Sequence, residues 1–132
     1  MDKAGLPSSF DLVGHLLVLT TILLTVYGQL VLKWQIGLAG TAPADPLARL
    51  FFLAALLLKP WILSGFLAAF LASFAWMGAM TRLPLTYAYP FTSLSFVLVM
   101  LFTGFVLGEG FSTGRVIGTL VVMAGLVVIA RS

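Results

Sequence analysis

Between Leu85 and Leu107 the chain carries no Asp, Glu, Lys, Arg or His. That run, LTYAYPFTSLSFVLVMLFTGFVL, constrains the fold more than any other feature. An α-helix needs about 20 consecutive apolar residues to cross a hydrocarbon layer of ~30 Å. Lipid offers backbone groups no hydrogen bonds, so a segment of this length and apolarity is expected to span as a helix. Three further runs have the same character, at about residues 12–32, 61–80 and 112–130. The expected fold class is an all-α membrane protein with four transmembrane helices, a single transmembrane domain over residues 1–132. Composition closes the alternative. With 61% hydrophobic and 8% charged residues, against roughly 25% charged in a soluble domain, a chain this short could not hide its apolar surface from water.

The polar residues mark the ends of these runs. Residues 1–9 read as a short polar tail. The first span ends at Lys33-Trp34-Gln35, where an ammonium can snorkel and an indole can sit at the headgroups. A cleaved leader is not expected, because the first run exceeds the apolar core of a signal peptide and Lys33 and Gln35 precede the small residues Ala39 to Ala42. Residues 37–46 form a loop by glycine and proline content. Asp45-Pro46 then marks a helix start. The apolar segment at about 47–58 is too short to span and precedes Lys59-Pro60. It reads as an interfacial helix, with a tilted extension of the second span as the rival reading. Ser112 is an N-cap candidate for the fourth span. Four spans place both termini on one side. Lys3, Arg82 and Arg131 then face Lys33, Arg49, Lys59 and Arg115 across the membrane, too even a division to fix orientation. The near balance permits an antiparallel pair of identical chains or a partner that sets the orientation.

Several chemistries are excluded. There are no cysteines, and one histidine with four acids leaves little for a metal site. No cofactor is expected. The basic residues are scattered singly, so no nucleic-acid footprint exists. No nucleophile–base pair can be assembled, which argues against an enzyme. Charges at mid-bilayer cost about 2.5–3.5 kcal/mol each and usually mark ion pathways; none lies near the middle of a span. On the first helix, at about 100° per residue, Thr21, Thr25, Gly28, Gln29 and Leu32 share a sector, with His15 and Lys33 on its flank. That stripe either lines a cavity or packs against another helix, and for Gly28 packing is the stronger reading. Tyr87 and Tyr89, like Ser93 and Ser95, point to different sides of the third span. Gly118 and Gly125 share one face of the fourth, a pattern suited to close helix contact and dimerisation.

LLTVYGQLVLK of the first span, RLPLTYAYPFTSLSFV of the third and VIGTLVVMAGLVVIA of the fourth together resemble small four-helix members of the drug/metabolite transporter superfamily. The fourth-span pattern is similar to the small multidrug resistance family, which implies Gly118 and Gly125 at the interface of an antiparallel dimer. The essential glutamate of the multidrug exporters is replaced here by Thr25 and their cavity tryptophan by Thr92, so proton-coupled export of cationic drugs has no physical basis. The closer resemblance is to the flippase subunits for aminoarabinose-linked undecaprenyl phosphate in the bacterial inner membrane, through Thr25, Gly28, Gln29 and Lys33 and through Ala88-Tyr89-Pro90 and Ser93-Leu94.

The resemblance implies a flippase subunit that moves a polyprenyl-phosphate-linked sugar or a related anionic lipid, as a homodimer or a heterodimer with a related subunit. The expected substrate residues are Thr25, Gln29, Lys33, Arg82, Tyr87, Tyr89 and Ser93, with Lys33 and Arg82 the phosphate-binding candidates on opposite sides of one protomer. Two alternatives stand beside it: an exporter of a small polar or cationic solute coupled through His15, Asp11 or Glu109, and a non-transporting accessory subunit.

Overall fold

The computed structural model describes residues 11–132; the polar tail expected over residues 1–9 lies outside them. The first helix, α1 (Leu12–Ala39), starts at Asp11, whose carboxylate accepts a hydrogen bond from the Gly14 N–H at 2.9 Å. Its expected end at Lys33-Trp34-Gln35 is corrected. The helix runs on to Ala39 and closes at Gly40, which has φ +89°. No proline occurs between residues 33 and 39, and the one glycine there, Gly37, costs a helix only ~1 kcal/mol. At 1.5 Å per residue its 28 residues extend roughly 42 Å. Lys33 therefore sits within the helix instead of at its end.

Asp45 caps α2 (Pro46–Leu56) as expected, accepting from the Ala48 N–H at 3.0 Å. A turn at residues 57–59 separates α2 from α3 (Pro60–Met80), which begins on its proline. The short segment is thus a separate helix, not an extension of the second span. It encloses an apolar cleft of about 350 Å³ with Leu32 and Ile36 of α1 and Ile62 and Phe66 of α3.

The third apolar run is interrupted. It consists of α4 (Leu85–Ala88), a 3-10 turn (Tyr89–Ser93) and α5 (Leu94–Phe105). Pro90 has no N–H to offer the carbonyl of Thr86, and its ring crowds that carbonyl, so the chain tightens locally. The fourth span is α6 (Thr113–Arg131), and Ser112 Oγ caps it by accepting from the Arg115 N–H at 3.2 Å. Among the described residues four helical segments are long and apolar enough to cross a membrane, and no strand occurs.

Packing is concentrated in the antiparallel pair of α1 and α3. β-Branched Val18, Ile22, Val26 and Val31 on α1 are buried, as are Gly65, Ala68, Ala72, Ala75 and Ala79 on α3. Small residues let the backbones approach. A Cβ at Gly28 would lie 3.0 Å from the Gly65 carbonyl oxygen, the tightest point of the crossing. Thr21 reaches the Ala72 carbonyl at 3.5 Å, Tyr27 and Ser64 share a hydrogen bond of 2.9 Å, and Trp34 meets Trp61 edge to face. By contrast, only 6% of the third and fourth spans is buried, against 28% and 33% of the first and second. The second pair leans on the first without merging with it.

Candidate functional site

Because α5 and α6 diverge from α1, a cavity of about 580 Å³ opens between them, in the size range of small-molecule sites. Its polar lining is Gln29 from α1, Ser95 and Thr103 from α5, Glu109 from the connecting loop, and Arg115 and Thr119 from α6; Phe96, Val99, Met100 and Val122 supply apolar wall. Local hydrogen bonds fix several of these groups. Thr103 Oγ1 donates to the Val99 carbonyl at 2.8 Å, and Thr119 Oγ1 donates to the Arg115 carbonyl at 2.8 Å. The Glu109 N–H donates to the Thr103 carbonyl at 3.0 Å, folding the loop back under α5. Gly108, at φ +71°, makes that reversal possible. Phe111 then lies across Gly104, where any side chain would collide with its ring.

The charges at this mouth are unequal. Lys33 Nζ pairs with Glu109 Oε1 at 3.3 Å, with side chains 63% and 41% exposed. The Arg115 guanidinium, lining the same cavity, has no ion-pair or hydrogen-bond partner among the described residues. A delocalised guanidinium of this kind is suited to two parallel bonds with a phosphate.

The residues singled out from the sequence divide between two ends of the molecule. Gln29 borders the cavity and Lys33 reaches it through Glu109. Thr25 is half-buried one turn earlier on α1 and does not border it. Arg82 lies at the opposite end, its guanidinium donating to both Asp11 carboxylate oxygens at 3.4 Å. The 22 residues of helix from Asp11 to Lys33 put the two ends roughly 33 Å apart at 1.5 Å per residue. At the Arg82 end, His15 Nδ1 lies 2.6 Å from the Asp11 carbonyl oxygen and Nε2 lies 3.1 Å from the Tyr87 hydroxyl. If Nδ1 donates, Nε2 accepts from the tyrosine. The Gly14 N–H and the Arg82 guanidinium together hold the Asp11 carboxyl below its ordinary value.

Tyr89 is exposed and meets Trp76 edge to face. Ser93, at the end of the 3-10 turn, has a buried hydroxyl with no hydrogen-bond partner among the described residues. Gly118 borders the cavity, while Gly125 does not; a side chain at either would enter open space. Among the described residues no three of His, Asp and Glu assemble as a metal cage.

Sequence reasoning did not select Ser95, Thr103, Arg115 or Thr119 as binding residues, and it gave Glu109 only a coupling role. Their convergence depends on how α5 and α6 are set against α1, which periodicity does not encode. The spacing of Arg115 three residues after the Ser112 cap was the available signal, since it places the guanidinium in the first turn of α6, beside the loop that carries Glu109.

No family model matches the chain, and no solved structure matches it. Curated relatives do. The probable 4-amino-4-deoxy-L-arabinose-phosphoundecaprenol flippase subunit ArnE of Pseudomonas aeruginosa (strain UCBPP-PA14) is 33% identical over 116 residues, 88% of this chain and 96% of that protein. The probable subunit ArnF of Aeromonas hydrophila is 32% identical over 125 residues, covering 93% of this chain and 83% of the relative. ArnF of Erwinia tasmaniensis is 34% identical over 122 residues, covering 88% and 93% respectively. These matches cover most of the chain and support the resemblance carried by the first, third and fourth spans. This multi-pass membrane protein belongs to the family of the ArnE and ArnF flippase subunits.

Proposed function

We propose that the chain is one subunit of a flippase that carries a polyprenyl-phosphate-linked sugar across the bacterial inner membrane. The observation that carries this reading is the Arg115 guanidinium, unpaired among the described residues, in a cavity walled on one side by apolar side chains. An anionic head group would bind the guanidinium, Gln29, Thr103 and Thr119 would meet sugar hydroxyls, and the polyprenyl tail would stay among the exposed apolar faces of α5 and α6. Thr25, Tyr87, Tyr89 and Ser93 do not line this cavity and would meet the substrate only at another stage of its passage. Transport does not use a buried carboxylate, since Glu109 is a partly exposed loop residue held by Lys33. The relatives' names, which include two kinds of subunit, support a pair of chains. The pair forms through α6, whose Ile117, Leu120, Val121 and Val128 are exposed and whose Gly118 and Gly125 leave room for a second helix.

The test is movement of a fluorescently labelled polyprenyl-phosphate sugar between the leaflets of proteoliposomes, read as the fraction of label bleached by membrane-impermeant dithionite added outside, with the full chain reconstituted alone and beside a related subunit. A charged hydrogen bond contributes about 1.5–3 kcal/mol, so Arg115→Ala should slow transport about 10- to 100-fold. Arg82→Ala should leave the rate near wild type, because Asp11 holds that side chain at the other end. Equal losses from both variants would refute the placement of the head group, and no transport by either reconstitution would refute the flippase reading.

A further inference from the structure

The cavity mouth holds an ammonium already. Lys33 Nζ sits 3.3 Å from Glu109 Oε1, while the Arg115 guanidinium, on the same cavity, is unpaired among the described residues. A purely anionic head group needs only Arg115, which leaves the carboxylate unexplained. Glu109 is nevertheless held in place with some care. Its own N–H is bonded to the Thr103 carbonyl, Gly108 beside it takes a left-handed conformation, and Phe111 closes over Gly104. The side chain with which Glu109 is paired is the more exposed of the two, so water can solvate Lys33 when it is released.

We infer that Glu109 is a specificity-determining residue for a primary ammonium on the sugar, and that Lys33 is the internal cation which such a head group displaces. The inference rests on the lipid-linked-sugar reading and goes beyond it only in assigning residues to the two charges that the relatives' named lipid carries, phosphate to Arg115 and amine to Glu109. Exchange of one ammonium for another keeps the carboxylate paired throughout. A neutral sugar would leave the Lys33–Glu109 pair intact and gain nothing from Glu109; an N-acylated amine has lost the charge that competes with Lys33 and would gain no more. The relatives' names, with an amino sugar joined through phosphate to undecaprenol, contain both charges.

The experiment measures binding of three water-dispersible polyprenyl-phosphate sugars to the full chain in nanodiscs: one with a free amine, one N-acetylated, one with a hydroxyl in place of the amine. Wild type should bind the free amine up to about tenfold more tightly than the other two, because the exchange returns the exposed Lys33 ammonium to water while the carboxylate stays paired. Glu109→Gln should remove that preference while leaving the other two probes unchanged. Lys33→Ala should tighten the free-amine probe alone, because its competitor is gone, a result no merely structural role produces. Equal binding of all three by wild type, or a preference that survives Glu109→Gln, overturns the inference while the flippase reading stands. Uniform weakening of all three by Lys33→Ala also overturns it, by making Lys33 a phosphate ligand. Failure of every probe to bind, both to the chain alone and to the chain beside a related subunit, removes the underlying reading and this inference with it.

Discussion

Replacing Gly28 by alanine tests the packing on which the site depends. The new Cβ would lie 3.0 Å from the carbonyl oxygen of Gly65, with the Gly65 carbonyl carbon at 3.7 Å. Both are backbone atoms of α3, so relief requires the helices to separate by a few tenths of an ångström. Overpacking of this kind costs about 1–3 kcal/mol. Against it stands the gain of ~1 kcal/mol when glycine becomes alanine within a helix. Two other glycines separate these effects. At Gly37 on the same helix a Cβ meets nothing within 4 Å, so Gly37→Ala should stabilise by the propensity gain alone. At Gly65 the nearest atom would be the Gly28 carbonyl oxygen at 3.4 Å, an ordinary contact, so Gly65→Ala should fall between. Reversible unfolding in mixed micelles, titrated with a denaturing detergent, should rank Gly37→Ala above Gly65→Ala above Gly28→Ala. The first and last should differ by about 1–3 kcal/mol. Because Gln29 follows Gly28 directly, transport should decline with the same variant. Equal stability for Gly28→Ala and Gly37→Ala would show that the two backbones do not meet here.

Two further predictions concern the other end of α1 and the third span. The Asp11 carboxyl has its pKa lowered by the Gly14 N–H and by Arg82, so its stabilisation is present above the ordinary aspartate value of 3.8 and is lost as pH falls through the lower, folded-state value. Asp11→Asn, which keeps a capping oxygen, should flatten that acid limb in a pH series of thermal melts; an unchanged limb would assign it to another carboxylate. Ser93→Ala removes a buried hydroxyl that has no partner among the described residues, and should leave stability unchanged or raise it by up to about 1 kcal/mol. A clear loss of stability would mean that the hydroxyl is bonded within the folded chain.

The spans were readable because lipid asks so little of a sequence: length, apolarity and the absence of charge. The caps Asp45 and Ser112 were readable too, since capping depends on residues adjacent in the chain, and Gly28 emerged as a contact from its place in a stripe of small and polar residues. What escaped was relational. A helix that is apolar all round does not announce which face meets a neighbour, so Gln29 could be placed on a face but not opposite Arg115. Lys33 looked like a terminus because an ammonium ends many spans; here the helix passes through it, and Glu109, brought across by the loop, is its partner. The third run reads as one unbroken helix, and its interruption by the 3-10 turn at Tyr89–Ser93, which contains Pro90, emerged only with the structure.

The uneven distribution of contacts between the two helix pairs has a mechanical consequence. Ala-lined α3 and β-branched α1 form a stiff beam, riveted at one end by Asp11 and Arg82. The other two spans touch that beam over little area, and the Lys33–Glu109 pair, both side chains partly exposed, joins it to the loop before α6. Tilting the lightly held arm about the bend at Tyr89–Ser93 would therefore sacrifice less buried surface than parting α1 from α3.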